Sequence, residues 1–345
     1  MNAETMALTG LFHGEPPWPR HLLDGLLDPK HEPVSTPLGK GAGDWLASVG
    51  GRRYDSELMA TRKPPAIEWI FPGMKPAIVK SLVSTGGTGK SFLALGLGAS
   101  VASGHDLLGL FSAWGHRIRR GRVVFLALED DEETVHHRLH DIASSAQGLS
   151  PKDLRMLDVV GIPGGIDILN PAHEKGIASL CSDAALVVVD TLRMLHEGDE
   201  NSSSDMRRVM SAMTRCARST GAGILFLHHS SKNAALSGFG DNQHASRGSS
   251  VIIDNSRGSY FVQTMTEEEG RQLGITDDTR HQWMRLGMGK ENLGARSRDI
   301  WLRRDEHGIP RAQAVTAATV APSNIATPRP SSQEPPRHKG RQVRA

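Results

Sequence analysis

Cysteine is scarce in this chain of 345 residues, which contains only Cys181 and Cys216. Their separation matches no metal-binding pair, which argues against a disulfide scaffold and against a cysteine-rich zinc site. We expect both thiols to be buried as small hydrophobic side chains. Such low cysteine content is typical of a reducing compartment.

Long apolar runs and a charge excess of one sign are also missing. No segment is long and apolar enough to span a bilayer, and the N-terminus lacks the basic start and apolar run of a secretion signal. The 40 basic residues nearly balance the 38 acidic ones, so any contact with nucleic acid must come from local patches. We therefore expect a cytoplasmic protein without a membrane partner.

Composition divides the chain into three parts. Residues 1–62 are rich in proline, glycine and charge without sustained periodicity, which predicts a poorly ordered N-terminal arm with one short helix. Residues 63–311 carry the apolar patterns of a folded core. Residues 312–345 have almost no large apolar side chains, which predicts a disordered, basic tail rich in proline and serine.

Within the core, short apolar runs alternate with helical patterns. Buried strands are predicted at residues 77–84, 122–128, 184–190 and 222–229. Helical patterns separate them, as in "KSFLALGLGASVAS" and "DMRRVMSAMTRCARSTG". Later segments between residues 251 and 304 predict further strands, some of them antiparallel. This alternation predicts an α/β fold with a mostly parallel central sheet flanked by helices.

The first predicted strand runs into a glycine-rich turn, "STGGTGKS". A phosphate-binding loop needs converging backbone N–H groups, a lysine for the outer phosphates and a hydroxyl for Mg²⁺. Ser84 stands where the usual pattern has its first glycine. The alternative is a strand-to-helix turn without a ligand, but the helix that begins at Lys90 would direct its dipole at an anion. The residues predicted to bind the phosphate-bearing cofactor are Thr85, Gly86, Gly87, Thr88, Gly89, Lys90, Ser91 and Phe92.

Acidic residues follow two other predicted strands. Because ligands bind at the carboxyl ends of parallel strands, these acids are expected to face the same turn. Glu129 is the candidate base that orients and deprotonates an attacking water, although the run Glu129, Asp130 and Asp131 also suits a helix cap near Glu132. Asp190 is the candidate that holds Mg²⁺ together with Ser91. The alternative for Asp190 is an ordinary turn or capping aspartate.

Histidines offer a further set of candidates. His228 and His229 end the strand at residues 222–229, where a polar side chain can contact a terminal phosphate. A metal site is the competing hypothesis, and His136 and His140 have the helical spacing that zinc uses. We give it less weight because no cysteine or clustered carboxylate completes the set.

The segment at residues 231–250 is small, polar and long for a loop within a compact domain. Its side chains can contact the phosphates of a single nucleic-acid strand. The candidates for this role are Lys232, Asn233 and Arg247.

Several blocks, taken in order, resemble a known family. They are "VSTGGTGKS", "FLALEDDEETVHHRLH", "VVVDTLRMLHEGDENSS", "LFLHHSSK", "QHASRGSSVIIDNSR" and "MGKENLGA". The resemblance is to the RepA-type hexameric replicative helicases of broad-host-range plasmids, which are relatives of the DnaB helicases. It extends over about residues 65–305. It implies a RecA-like P-loop NTPase core, a hexameric ring of identical subunits with ATP and Mg²⁺ between neighbours, and translocation along single-stranded DNA. A plasmid replication initiator or a primase is a further candidate partner.

The resemblance also implies roles for individual residues. It gives Lys90 and Ser91 to the phosphates and Mg²⁺ and supports Glu129 and Asp190 in the roles above. His229 falls where DnaB relatives have a glutamine that senses the terminal phosphate.

Arg257 is the best match to the arginine that the neighbouring subunit contributes in trans. DnaB relatives use a K-x-R pattern near the last strands instead, and this chain has Lys290 but Asn292 at the arginine position. The alternative for Arg257 is a surface charge at a hairpin turn.

Two enzymatic hypotheses follow, with one that is not enzymatic. The leading hypothesis is an ATP-dependent DNA helicase in replication of a plasmid or mobile element. The second is a RecA-like, ATP-dependent switch or DNA-binding ATPase that remodels an assembly without unwinding. An inert fold with a decayed site is disfavoured because the lysine, the hydroxyl and both carboxylates are present.

Overall fold

A computed structural model describes residues 41–48, 51, 53–229, 258–291 and 298–315. Within this part of the chain, the strands form one sheet of nine strands in the order β3-β2-β4-β5-β1-β6-β7-β8-β9. Their bounds are β1 (Val79–Ser84), β2 (Val123–Ala127), β3 (Leu157–Gly161), β4 (Leu186–Asp190), β5 (Gly223–His229), β6 (Gly258–Thr264), β7 (Trp283–Glu291), β8 (Ile300–Arg304) and β9 (Pro310–Ala312).

Neighbouring strands in the part of the sheet from β3 through β2, β4, β5 and β1 to β6 pair in parallel. Neighbouring strands from β6 through β7 and β8 to β9 pair antiparallel. The predicted α/β class, with a mostly parallel sheet extended by antiparallel strands, is therefore confirmed. The carboxyl ends of β1, β2, β4 and β5 lie along one edge of the sheet. The register shows this directly, because Ser84 lies beside His229 and Ala127 beside Asp190.

The described residues form nine α-helices. They are α1 (Ala42–Ser48), α2 (Ser56–Thr61), α3 (Lys90–Ser103), α4 (Leu110–Trp114), α5 (Glu132–Ser144), α6 (Pro171–Leu180), α7 (Ser203–Thr220), α8 (Glu267–Leu273) and α9 (Asp277–Arg280). Two short 3₁₀ helices lie at Pro151–Met156 and Leu192–Leu195.

Two hydrophobic cores lie on opposite faces of the sheet. Alternation along β2 separates them: Val123 and Phe125 pack in the core that contains α3. Val124 and Leu126 pack in the core that contains α7. Burial on both faces explains why the central strands are continuous apolar runs rather than alternating patterns. Packing on both faces also holds the ends of these strands, which carry the polar residues, in position.

Helix α7 shows how the sequence specifies this packing. Its buried residues Met206, Val209, Met210 and Met213 recur at intervals of three and four, so they share the face that meets the sheet. The helix begins after Ser202, whose side chain accepts a hydrogen bond from the N–H of Asp205. The helix predicted for this segment is therefore confirmed.

The structure contains elements that the sequence patterns did not predict. Strand β3 was missed because it is a half-buried edge strand with a polar residue, Asp158, in its run. Helix α6 was missed although its start carries a capping asparagine, Asn170, followed by proline. Strand β9 extends to Ala312, the first residue assigned to the tail, and this alanine donates its N–H to the carbonyl of Leu108.

The described part of the N-terminal arm contains two helices, α1 and α2, where one was predicted. Neither helix has a buried residue. Asp55 caps α2 by accepting a hydrogen bond from the N–H of Leu58 at 2.9 Å. The boundary of the arm at residue 62 stays a prediction.

Both cysteines are buried and free, as expected from the sequence. Burial raises the pKa of Cys181 to about 12 and that of Cys216 to about 11, so both stay protonated thiols. Among the described helices, none combines the length and the apolar composition needed to cross a bilayer.

Candidate nucleotide-binding site

The glycine-rich loop joins β1 to α3. Ser84 ends β1 fully buried, and its hydroxyl donates to the carbonyl of Thr85 at 3.0 Å. Because Ser84 still belongs to the strand, its position does not need the conformational freedom of glycine. The chain then turns at Gly87 and Gly89, whose φ angles of 76° and 82° favour glycine.

Helix α3 begins at the loop with no side-chain cap, because its N-cap residue is Gly89. The first N–H groups of a helix have no partner within the helix, and the dipole there favours an anion. Ser91 and Phe92 lie in this first turn and are half-buried. Thr88 is buried, and its hydroxyl donates to the carbonyl of Thr85. The loop and the helix start therefore form a site suited to phosphate.

Lys90 and His229 meet across the edge of the sheet. The Lys90 Nζ lies 2.9 Å from both Nδ1 and Nε2 of His229, and Lys90 is only 5% exposed. Burial lowers the pKa of Lys90, whereas Asp190 and Glu129 oppose this change. Burial and the neighbouring Lys90 charge lower the pKa of His229, so its ring is neutral at pH 7 and accepts a hydrogen bond from the ammonium.

Asp190 is buried at the end of β4, with 2% of its surface exposed. Its Oδ1 has no hydrogen-bond partner among the described residues, and the nearby Ser91 side chain lowers its pKa against the larger effect of burial. The peptide bond that follows, Asp190–Thr191, is cis. An unpartnered carboxylate oxygen beside a hydroxyl is the oxygen donor set that Mg²⁺ prefers. These two residues therefore fit the metal that the sequence predicts.

Glu129 lies where a catalytic carboxylate is expected. Its Oε2 is 3.9 Å from Nε2 of His229, and half of its side chain is exposed. The capping alternative applies to Asp131, which accepts a hydrogen bond from the N–H of Thr134 at 2.8 Å. Asp130 instead pairs with Arg138. Of the three acids, Glu129 is the one beside the His229 ring.

The competing metal hypothesis gains no support in the described residues. In this part of the chain, no three His, Cys, Asp or Glu side chains are grouped closely enough to hold a metal ion. His140 instead contacts the hydroxyl of Ser144 at 3.2 Å. His228 is buried, and desolvation lowers its pKa to about 4, so its ring is neutral.

The structure thus brings together the predicted loop, Lys90, Glu129, Asp190 and His229. The predicted DNA contacts Lys232, Asn233 and Arg247 and the predicted trans arginine Arg257 lie outside the described residues. Those four assignments stay predictions.

One residue at the site was missed by the sequence analysis. Arg304, at the end of β8, donates from Nη2 to the carbonyl of Gly87 at 3.0 Å. The two residues are 217 positions apart, and no motif connects them. Only the order of the strands brings them together.

Burial of Asp190 predicts that stability depends on pH. Its pKa is raised from 3.8 to about 6, so between these values the folded protein holds a proton that the unfolded chain releases. Because the unfolded state then binds fewer protons, the free energy of unfolding falls as pH rises from about 4 through about 6. The loss from this one group is on the order of 3 kcal/mol.

Asp190→Asn removes this pH-dependent loss of stability, because an amide side chain does not ionise. Thermal unfolding of the metal-free wild type and variant measures the difference. The variant is expected to gain stability relative to the wild type as pH rises from about 4 to about 8. A difference in Tm that stays constant over that interval would contradict the burial account of Asp190.

The fold and the site define a P-loop ATPase. A parallel sheet places a phosphate-binding loop, a lysine and two carboxylates at the carboxyl ends of its central strands. The chain belongs to the AAA domain family, whose model matches residues 54–235, more than half of the chain. Membership indicates an ATP hydrolase, and P-loop ATPases use Mg²⁺ with their nucleotide.

Among solved structures, the chain is similar to one described as the crystal structure of the RadB recombinase. The identity is 14%, and the match covers 70% of this chain and 93% of that chain with a TM-score of 0.44.

Proposed function

We propose that the chain is an ATP-dependent DNA helicase that acts in replication of a plasmid or mobile element. The observation that carries the ATPase part is the convergence of Lys90, Glu129, Asp190 and His229 at the loop between β1 and α3. The DNA part rests on the resemblance of the ordered sequence blocks to the RepA-type helicases.

Each residue of the site has a role in this proposal. The loop amides and Lys90 bind the outer phosphates of ATP, and Ser91 and Asp190 hold Mg²⁺. Bound Mg²⁺ neutralises charge that develops on the phosphate oxygens. Glu129 orients the attacking water and accepts its proton.

His229 links the nucleotide to the segment that follows β5. Its neutral ring accepts from Lys90, so an incoming terminal phosphate competes for the same ammonium. We propose that this exchange reports nucleotide state to residues 231–250, where Lys232, Asn233 and Arg247 contact single-stranded DNA. Arg257 of the adjacent subunit in a hexameric ring supplies charge to the transition state.

Two assays with the full chain test the helicase proposal. The ATPase rate is expected to rise several-fold when single-stranded DNA is added, because the strand binds next to the sensing histidine. A duplex with a single-stranded tail is then expected to be unwound only in the presence of ATP and Mg²⁺, and the untailed duplex is the control.

Stimulation without strand separation would favour the RecA-like switch instead. An ATPase rate that does not change when DNA is added would contradict both DNA-directed functions. The mass of the particle with a non-hydrolysable ATP analogue tests the ring, since a monomer leaves Arg257 without a neighbouring site.

A further inference from the structure

The contact between Arg304 and the glycine-rich loop has no role in the mechanism above. The guanidinium of Arg304 reaches Gly87 at the turn of the loop, where its Nη2 donates to the Gly87 carbonyl at 3.0 Å. It also passes 3.6 Å from where a Cβ on Gly89 would lie. Arg304 therefore lies against both glycines that give the loop its shape.

The geometry of the peptide unit gives this contact a consequence. The peptide bond between Gly87 and Thr88 is trans and planar, so its C=O and N–H groups point in opposite directions. When Arg304 holds the carbonyl of Gly87, the N–H of Thr88 must point away from the guanidinium. A cationic donor on the carbonyl also polarises the peptide unit and strengthens its N–H as a donor.

Arg304 is itself held in place by its own strand and the turn that follows. Its backbone N–H donates to the carbonyl of Gln282 at 2.9 Å, and it pairs with Pro310 across β8 and β9. Asp305 closes the turn by accepting from the N–H of Ile309 at 2.9 Å. These contacts fix the backbone position from which the Arg304 side chain extends.

The same turn is attached to the chain just beyond α3. Asp305 accepts from Nε of Arg311 at 2.8 Å, and Nη1 of Arg311 donates to the carbonyl of Leu107 at 2.6 Å. Leu107 lies a few residues after the end of α3, the helix that begins at the loop. Arg311 thus joins the turn after β8 to the chain just beyond α3, and Arg304 contacts the loop just before α3.

We propose that Arg304 is a positioning residue of the nucleotide site, which holds the Gly87 carbonyl outward so that the Thr88 N–H is directed at a bound phosphate. The inference rests on the proposed ATP site and adds a residue to it. Arg304 itself contacts the loop and not the reacting atoms. Its loss should therefore affect nucleotide binding more than the rate of the bound complex.

The test uses Arg304→Gln and Arg304→Lys in the full chain, with Arg303→Gln as the matched control. Arg303 is the preceding residue of β8, and its guanidinium bonds the side chain of Gln282 at 3.1 and 3.2 Å instead of the loop. The measurements are the Kd of ADP with Mg²⁺ by calorimetry, KM and kcat for ATP, Tm without nucleotide, and hydrogen exchange of the loop amides.

We expect Arg304→Gln to weaken ADP binding and to raise KM for ATP by about tenfold, because the variant loses one charge-assisted hydrogen bond to the loop. We expect kcat and Tm to stay near the wild-type values and exchange in residues 85–91 to become faster. Arg304→Lys should recover part of the affinity, because lysine donates one bond but lacks the planar fork. Arg303→Gln should leave affinity unchanged.

Wild-type affinity and KM in Arg304→Gln would overturn the positioning role while leaving the ATP site intact. A lowered Tm with unchanged affinity would also overturn it, since that is the result of a merely structural contact. If the wild type binds no nucleotide, the ATP site itself fails, which is a separate outcome.

Discussion

Lys90→Ala is expected to lower the rate of ATP hydrolysis by about 10²- to 10³-fold, because it removes a preorganised positive charge from the outer phosphates. The effect has a second component within the site. The charge of Lys90 lowers the pKa of Asp190, so its loss raises that pKa further and weakens the carboxylate as a ligand for Mg²⁺ at neutral pH.

Steady-state hydrolysis and calorimetric binding of ATP with Mg²⁺ measure this prediction. Lys152→Ala is the control, because Lys152 is an exposed lysine of a 3₁₀ helix and its removal makes the same change in net charge. Turnover near the wild-type rate in Lys90→Ala would show that the loop between β1 and α3 is not the hydrolytic site.

Glu129→Gln is expected to separate hydrolysis from binding. The amide keeps the size of the side chain but cannot accept a proton from water, so turnover should fall by about 10²- to 10⁴-fold. Affinity for ATP with Mg²⁺ should change little, because the Glu129 side chain is half exposed and is not assigned to bind the phosphates or Mg²⁺. The variant should therefore hold unhydrolysed ATP.

Glu133→Gln is the matched control, since Glu133 lies on the first turn of α5 with 86% of its side chain exposed. Rates of hydrolysis and Kd values for both variants decide the role. If Glu129→Gln lost affinity in proportion to rate, Glu129 would be a binding residue and the base would have to be sought elsewhere.

The central part of the fold and the candidate site could be predicted because their determinants are local. The four central strands are buried on both faces, so each is a short apolar run whose end is marked by a polar residue. The glycine-rich loop lies within a few residues of its strand and helix. A parallel sheet then brings Ser84, Ala127, Asp190 and His229 to one edge through the register alone.

The elements that were missed depend on contacts distant in sequence or on weak patterns. Strand β3 lies at the edge of the sheet with half-buried residues, so its run is not strongly apolar. Arg304 reaches Gly87 only because the strands β6, β7 and β8 extend the sheet beyond β1. The sequence around an arginine in a predicted strand does not indicate which loop its side chain contacts.

The measurement that tests the account most directly is calorimetric titration of the purified full chain with ATP, with and without Mg²⁺. We predict binding that requires Mg²⁺ and is lost in Lys90→Ala and weakened in Asp190→Asn. The absence of Mg²⁺-dependent ATP binding in the wild type would contradict the account, since every proposed step begins with a triphosphate held at this loop.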